Sequence, residues 1–205
     1  MGLYSLIPTP AIPTPDAAPA SPAPLDGMPG PALDAHLFRR IVTFAADEAD
    51  RPLTAALGLD RAALERLVSR HLPEMRAHLR ALPPDSSPGE DAIEEADLRA
   101  LLLEHRAGTA EEEVWLAAIV ARRSLGTNHL WQDMGFADRQ ELSAMFRRHF
   151  PALVALNGGD MKWKKFFYRQ LCSREGFLLC KSPNCESCDD YAACFDGEPG
   201  EALRR

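Results

Sequence analysis

Four cysteines, Cys180, Cys185, Cys188 and Cys194, stand within 15 residues near the C-terminal end of the chain, spaced Cys-x4-Cys-x2-Cys-x5-Cys. Thiolate sulfur is a soft ligand that favours zinc, Cu(I) and iron–sulfur clusters over Mg²⁺ or Ca²⁺. Pro183, Asn184, Ser187 and Asp189 lie among them, and such residues make turns, so the segment is expected to wrap around a centre instead of running as a helix. Structural zinc sites join two short chelating pairs across an insert of roughly 12 to 20 residues. Here the middle gap is only two, which makes zinc the weaker reading. The first three spacings match the run used by plant-type [2Fe–2S] ferredoxins, whose fourth ligand lies far downstream in a β-rich fold, so the match concerns chemistry and not fold. An iron–sulfur cluster is therefore expected on the four thiolates. Clustered thiols left without metal would oxidise readily.

The rest of the composition narrows the function. Five cysteines, four of them in the last 26 residues, are an odd number and do not look like a disulfide framework. The N-terminus lacks the basic segment and apolar core of a signal peptide, and no apolar run approaches the roughly 18 residues needed to cross a bilayer. These features predict a cytoplasmic protein with no membrane role. A net charge of −7 argues against nucleic acid as a partner, since phosphate binding needs an excess of Lys and Arg. No nucleophile–base pair, phosphate loop or cofactor fingerprint is visible. The expectation is a metal or cluster carrier with no catalytic residues.

The segment feeding the cysteines reads as one helix from Asp160 to Glu175, ending at Gly176. At 100° per residue Trp163, Phe166, Phe167 and Leu171 share one face, while Lys162, Lys165 and Arg169 share the opposite one. The aromatic face should anchor the helix; the basic face would either be solvated or offset the negative charge of a thiolate-bound cluster and meet an acidic partner. Cys172 falls at the edge of the basic face and is a candidate auxiliary metal ligand. His129, in the turn Asn128-His129-Leu130-Trp131, is a second candidate. His71 and His78 are read as surface residues.

The elements that must position these groups are helical. Leu37, Ile41, Phe44 and Ala45 repeat at helical spacing, as do Leu64, Leu67, Val68 and Leu72 after an N-cap at Asp60. Leu98, Leu101 and Leu102 mark a third helix ending near Gly108, and Thr109 with Glu112 predicts a capping box for a fourth that buries Trp115 and Ile119. A fifth starts at Asp138, buries Leu142, Met145 and Phe146, and stops at Pro151. The stretch Leu82 to Glu90, with Pro83, Pro84, Pro88 and Gly89, reads as an exposed, mobile connector. No strand alternation is visible. The predicted fold is all-α: a disordered Pro/Ala-rich arm over residues 1–33, which hold nine of the seventeen prolines, a helical bundle over 34–176, a cysteine-rich cluster-binding segment over 177–196 and a tail over 197–205.

With the cysteine pattern preceded by Asp160-Met161-Lys162-Trp163-Lys164-Lys165-Phe166-Phe167-Tyr168-Arg169-Gln170-Leu171-Cys172, the chain resembles the NifQ family. Asn128-His129-Leu130-Trp131-Gln132-Asp133 and His149-Phe150-Pro151 are also similar to that family. The resemblance runs from about Asp34 to Phe195 and leaves the Pro-rich arm outside. It implies a cytoplasmic carrier for nitrogen fixation whose iron–sulfur cluster takes up molybdenum, of a 4Fe–4S or Mo–3Fe–4S type. It further implies that this carrier donates molybdenum for iron–molybdenum cofactor biosynthesis, with the cofactor assembly scaffold and the nitrogenase iron protein as partners. The alternatives from the residues themselves are an iron–sulfur electron carrier, whose metal inventory never changes, and a structural zinc-binding interaction module.

Overall fold

A computed structural model describes residues 27–48, 50–80, 86–89 and 92–174, with Leu25 and Leu82. Every regular element among them is a helix. In chain order these are α1 Gly30–Ala46, α2 Leu53–Leu57, α3 Arg61–His71, α4 Arg76–Arg80, α5 Ile93–Glu104, α6 Glu111–Ser124, α7 Leu130–Asp133, α8 Arg139–His149, α9 Pro151–Leu156 and α10 Trp163–Arg174, with one 3₁₀ turn at Pro73–Met75.

Two predicted starts are made as the sequence suggests. Asp60 caps α3 by accepting from Ala63 N at 2.7 Å, and Asp138 caps α8 by accepting from Gln140 N and Glu141 N at 2.8 and 3.1 Å. The capping box at Thr109 does not form: the N-cap of α6 is Ala110, with no side-chain bond. Three glutamates, Glu111 to Glu113, fill its first turn instead, where negative charge offsets the helix dipole. Pro151 ends α8 and also opens α9, whose first turn needs no donor there. α1 begins at Gly30, upstream of the periodic pattern, and buries Leu33.

One core unites the elements. Leu37, Phe38 and Ile41 of α1 meet Leu64, Leu67 and Val68 of α3, Leu98, Leu101 and Leu102 of α5, Trp115, Ile119 and Val120 of α6, and Met145, Phe146 and Phe150 around α8. Central Trp115 packs edge-on against Phe38 at 6.0 Å and against His71 at 6.2 Å. His71 is therefore no surface residue: its side chain is 8% exposed and bonds Glu112 at 3.0 Å. The side chain of His78 lies outside the described residues. Phe44, placed inward by its spacing, is instead 40% exposed. It lies against Gly135, where φ is +74° and an added Cβ would meet the Phe44 Cβ at 2.3 Å.

The described part of the Pro-rich connector is pinned. Arg122 donates to Pro88 O at 2.7 Å, to Ala55 O and to Glu95 Oε2 at 2.8 Å. Glu95 is fully buried and also accepts from Arg99 at 3.1 Å. A buried carboxylate persists only when paired in this way, and the pairing ties the 86–89 stretch to α2, α5 and α6.

Candidate metal centre

Cys180, Cys185, Cys188 and Cys194 lie outside the described residues. Among the described residues no group of three or more His, Cys, Asp or Glu side chains is arranged to hold a metal ion. The described element nearest to them in sequence is α10.

Aromatic packing fixes α10 to the bundle. Trp163 stacks on Phe146 of α8 with ring centroids 3.8 Å apart and planes 14° from parallel, and Phe167 is fully buried beside them. Such a pair adds roughly 0.5–1.5 kcal/mol beyond its buried area. The approach to the helix is equally constrained. Asn157 clamps Met161 by donating to its carbonyl at 2.8 Å and accepting from its N–H at 3.0 Å. The chain turns at Asp160, whose φ of +50° an Asp tolerates better than most residues.

The first turn of α10 also holds the turn that carries His129. Lys164 donates to Asp133 Oδ2 at 2.5 Å and to Gly126 O at 2.8 Å, while Asn128 Nδ2 donates to Asp133 Oδ1 at 3.0 Å. Both oxygens of the buried Asp133 are thus engaged, and the Asn128–Asp133 motif is locked to the Asp160–Cys172 motif. His129 is the half-buried N-cap residue of α7, its backbone N–H donating to Gln132 Oε1 at 3.1 Å. The lysine that makes this junction, Lys164, was not among the candidates. Its signal in the sequence was weak, because a wheel gives a direction but no partner.

The remaining candidates are placed differently from the wheel. Lys165 is buried at 4% exposure, whereas Lys162 and Arg169 are half-buried. Lys165 is thus withdrawn from the face it was expected to share with them. Cys172 is buried in the last turn of α10, about 12 Å along the axis from Lys164 at 1.5 Å per residue. The two auxiliary candidates therefore belong to opposite ends of the helix.

The His149-Phe150-Pro151 motif has a structural account. His149 is buried, with Nε2 2.9 Å from Asp34 Oδ1 and Nδ1 3.4 Å from Glu113 Oε1. Arg148 donates to both oxygens of Asp34 at 2.6 and 2.8 Å. Burial alone would raise the Asp34 pKa; the hydrogen bonds and charges of His149 and Arg148 outweigh it and hold it at about 2. The cluster joins α1, α6 and α8.

The described residues form an all-helical bundle whose aromatic helix α10 precedes the four-cysteine segment in the sequence. The family model named NifQ matches residues 37–196, which include all four cysteines. The chain is 44% identical over 179 residues to Protein NifQ of Rhodobacter capsulatus, covering 85% of this chain and 96% of that one. It is 39% identical to the NifQ homolog of Sinorhizobium fredii (83% and 75% covered) and 41% identical to Protein NifQ of Azotobacter vinelandii (69% and 78% covered). The chain belongs to the NifQ family. No solved structure matches it. No helix among the described residues is long and apolar enough to cross a membrane.

Proposed function

We propose that this chain is a molybdenum carrier of nitrogenase cofactor assembly. In this reading it holds an iron–sulfur cluster on Cys180, Cys185, Cys188 and Cys194, accepts molybdenum there and passes it on for iron–molybdenum cofactor synthesis. The observation that carries the reading is the intact four-thiolate spacing inside the stretch matched by the NifQ family. The donor set fits: four thiolates suit iron held by sulfide and are poor ligands for hard cations. When bound, such a cluster supplies sulfide ligands for incoming molybdenum.

The chain's own contribution is to hold this segment on a rigid base. The Trp163–Phe146 stack, the Asn157 clamp and the Lys164–Asp133 bond anchor the start of α10 to the bundle. Three cysteines suffice to cap three irons, so at most one is left for molybdenum. A cargo that must leave is better held by exchangeable water or oxygen ligands. His129 and Cys172 are the protein groups proposed to assist. Acceptance by the assembly scaffold and the nitrogenase iron protein, in the cytoplasm, belongs to the same proposal.

The test is metal analysis with EPR on anaerobically purified protein and on single Cys→Ser variants at the four positions. Each variant should lose most of its iron and the visible absorption of the cluster. Variants that all keep full iron and an unchanged spectrum contradict the ligand assignment, and an iron-free, zinc-loaded wild type contradicts the reading as a whole.

A further inference from the structure

Arg123 is 4% exposed, near the C-terminal end of α6. One end of its guanidinium, Nη1, donates to Glu48. The other edge, formed by Nε and Nη2, has no hydrogen-bond partner among the described residues, and both nitrogens are buried. These two N–H groups are the parallel prongs with which arginine grips two oxygens of one anion. A fork stripped of water and given no acceptor is costly in a folded protein, and burial correspondingly lowers the Arg123 pKa. Such a group is what an oxyanion site looks like before its ligand arrives.

Partly exposed side chains surround it. The guanidinium carbon lies 5.6 Å from the centroid of Phe44, itself 40% exposed, which shields it from water on that side. Above it Glu48 and Arg51 pair with each other at 2.7 Å, with side chains 20% and 41% exposed. Arg51 also adds positive potential at the fork, and on the far side Asp133 supplies the balancing charge. Asp133 is the carboxylate that Lys164 and Asn128 hold, so the fork is electrostatically coupled to the junction that seats α10.

We propose that the Nε/Nη2 edge of Arg123 binds a tetrahedral oxyanion, and that in this protein the oxyanion is molybdate. The choice of molybdate rests on the molybdenum-carrier reading; the fork as an oxyanion site does not. Hydrogen bonds to a charged group are strong and two parallel ones are specific, so replacing the fork by a point charge should be felt directly.

The experiment is equilibrium dialysis of the full chain against radiolabelled molybdate, with Arg123→Lys and Arg123→Met as variants and circular dichroism as the folding control. The wild type should bind molybdate, Arg123→Lys should bind about tenfold more weakly or worse, and Arg123→Met should lose binding. Excess sulfate, of like shape and charge, should displace molybdate, whereas chloride at matched ionic strength should not. Because a variant can fail to fold, the Arg123 Nε–H resonance of the wild type gives a second readout, and it should shift as molybdate is added. Unchanged affinity in folded Arg123→Lys, displacement by chloride, no binding by the wild type or an unmoved Nε–H resonance would each overturn the site. A chain that binds molybdate through Arg123 but never passes molybdenum on would sink the carrier reading alone. One that donates molybdenum normally with Arg123→Lys unimpaired in binding would sink this inference alone.

Discussion

Arg122 and Arg123 are neighbours on one helix and face opposite demands. Arg122 sits between α2, α5 and the 86–89 stretch, and its Nε and Nη1 reach a buried carboxylate and two backbone carbonyls. Arg123 faces the other way, toward the loop after α1 and the turn before α7, and spends one nitrogen on a carboxylate at the surface. The first is a staple whose partners are all protein. The second is the more buried of the two, its side chain 4% exposed against 9%, yet keeps its better binding edge bare. The difference teaches that burial of a charge in this bundle has two meanings, and that the inventory of partners separates them.

Substitution to Met at each position breaks or sharpens that contrast. Arg122→Met removes one of the two arginine partners of the fully buried Glu95, leaving Arg99, and should cost about 3 kcal/mol, the lower end of the range for breaking a buried ion pair. At roughly 2–4 °C per kcal/mol this is a fall in Tm of at least about 6 °C. Arg123→Met leaves behind only Glu48, which water can reach, and removes two unsatisfied donors, so stability should change by less than about 1 kcal/mol in either direction. Equal losses at the two positions in thermal melts would erase the distinction.

The Asp34 cluster offers an intermediate case, a buried carboxylate with all its partners in place. Its pKa of about 2 lies below the ordinary 3.8, so its pairing favours the folded state above the ordinary value and is lost as pH falls from about 4 toward 2. The shift corresponds to about 2 kcal/mol at neutral pH. Asp34→Asn should therefore lower stability by about that amount at pH 7, with the gap to wild type closing in acid. A gap that stays constant from pH 7 to pH 3 in urea titrations would show that Asp34 does not carry that acid dependence. A loss of similar small size is expected at the exposed cap of α8, where Asp138→Ala should cost about 1 kcal/mol in thermal melts.

How much of this could be read beforehand follows from the range of each interaction. Period-3.6 patterning located α1, α3, α5, α6, α8 and α10 because each is long enough to bury a stripe, and it missed α2, α4, α7 and α9 because four to six residues show no period. Caps at Asp60 and Asp138 were legible since donor and acceptor are two or three residues apart. Thr109 satisfied the same local rule, yet the helix starts one residue later. The polar interior was not legible. Glu95, Arg123, Lys165 and His149 are residue types expected at the surface, and contacts such as His149 to Asp34 span 115 positions, so nothing local announces them. Of the candidate site, the four thiolates stood out because ligand chemistry is written in residue type and short spacing. The Lys164–Asp133 junction was hidden because it joins two motifs 31 residues apart.

Molybdenum inventory before and after contact with an acceptor tests the central claim most directly. Anaerobically purified protein, loaded with molybdenum, would be mixed with the cofactor assembly scaffold and nitrogenase iron protein, separated from them, and its iron and molybdenum quantified alongside its EPR spectrum. A carrier should emerge depleted in molybdenum, with the metal recovered on the scaffold, and Cys→Ser variants at the four positions should transfer little or none. A protein that keeps its full complement of iron and molybdenum through the exchange, while cycling between redox states, is an electron carrier and contradicts the account.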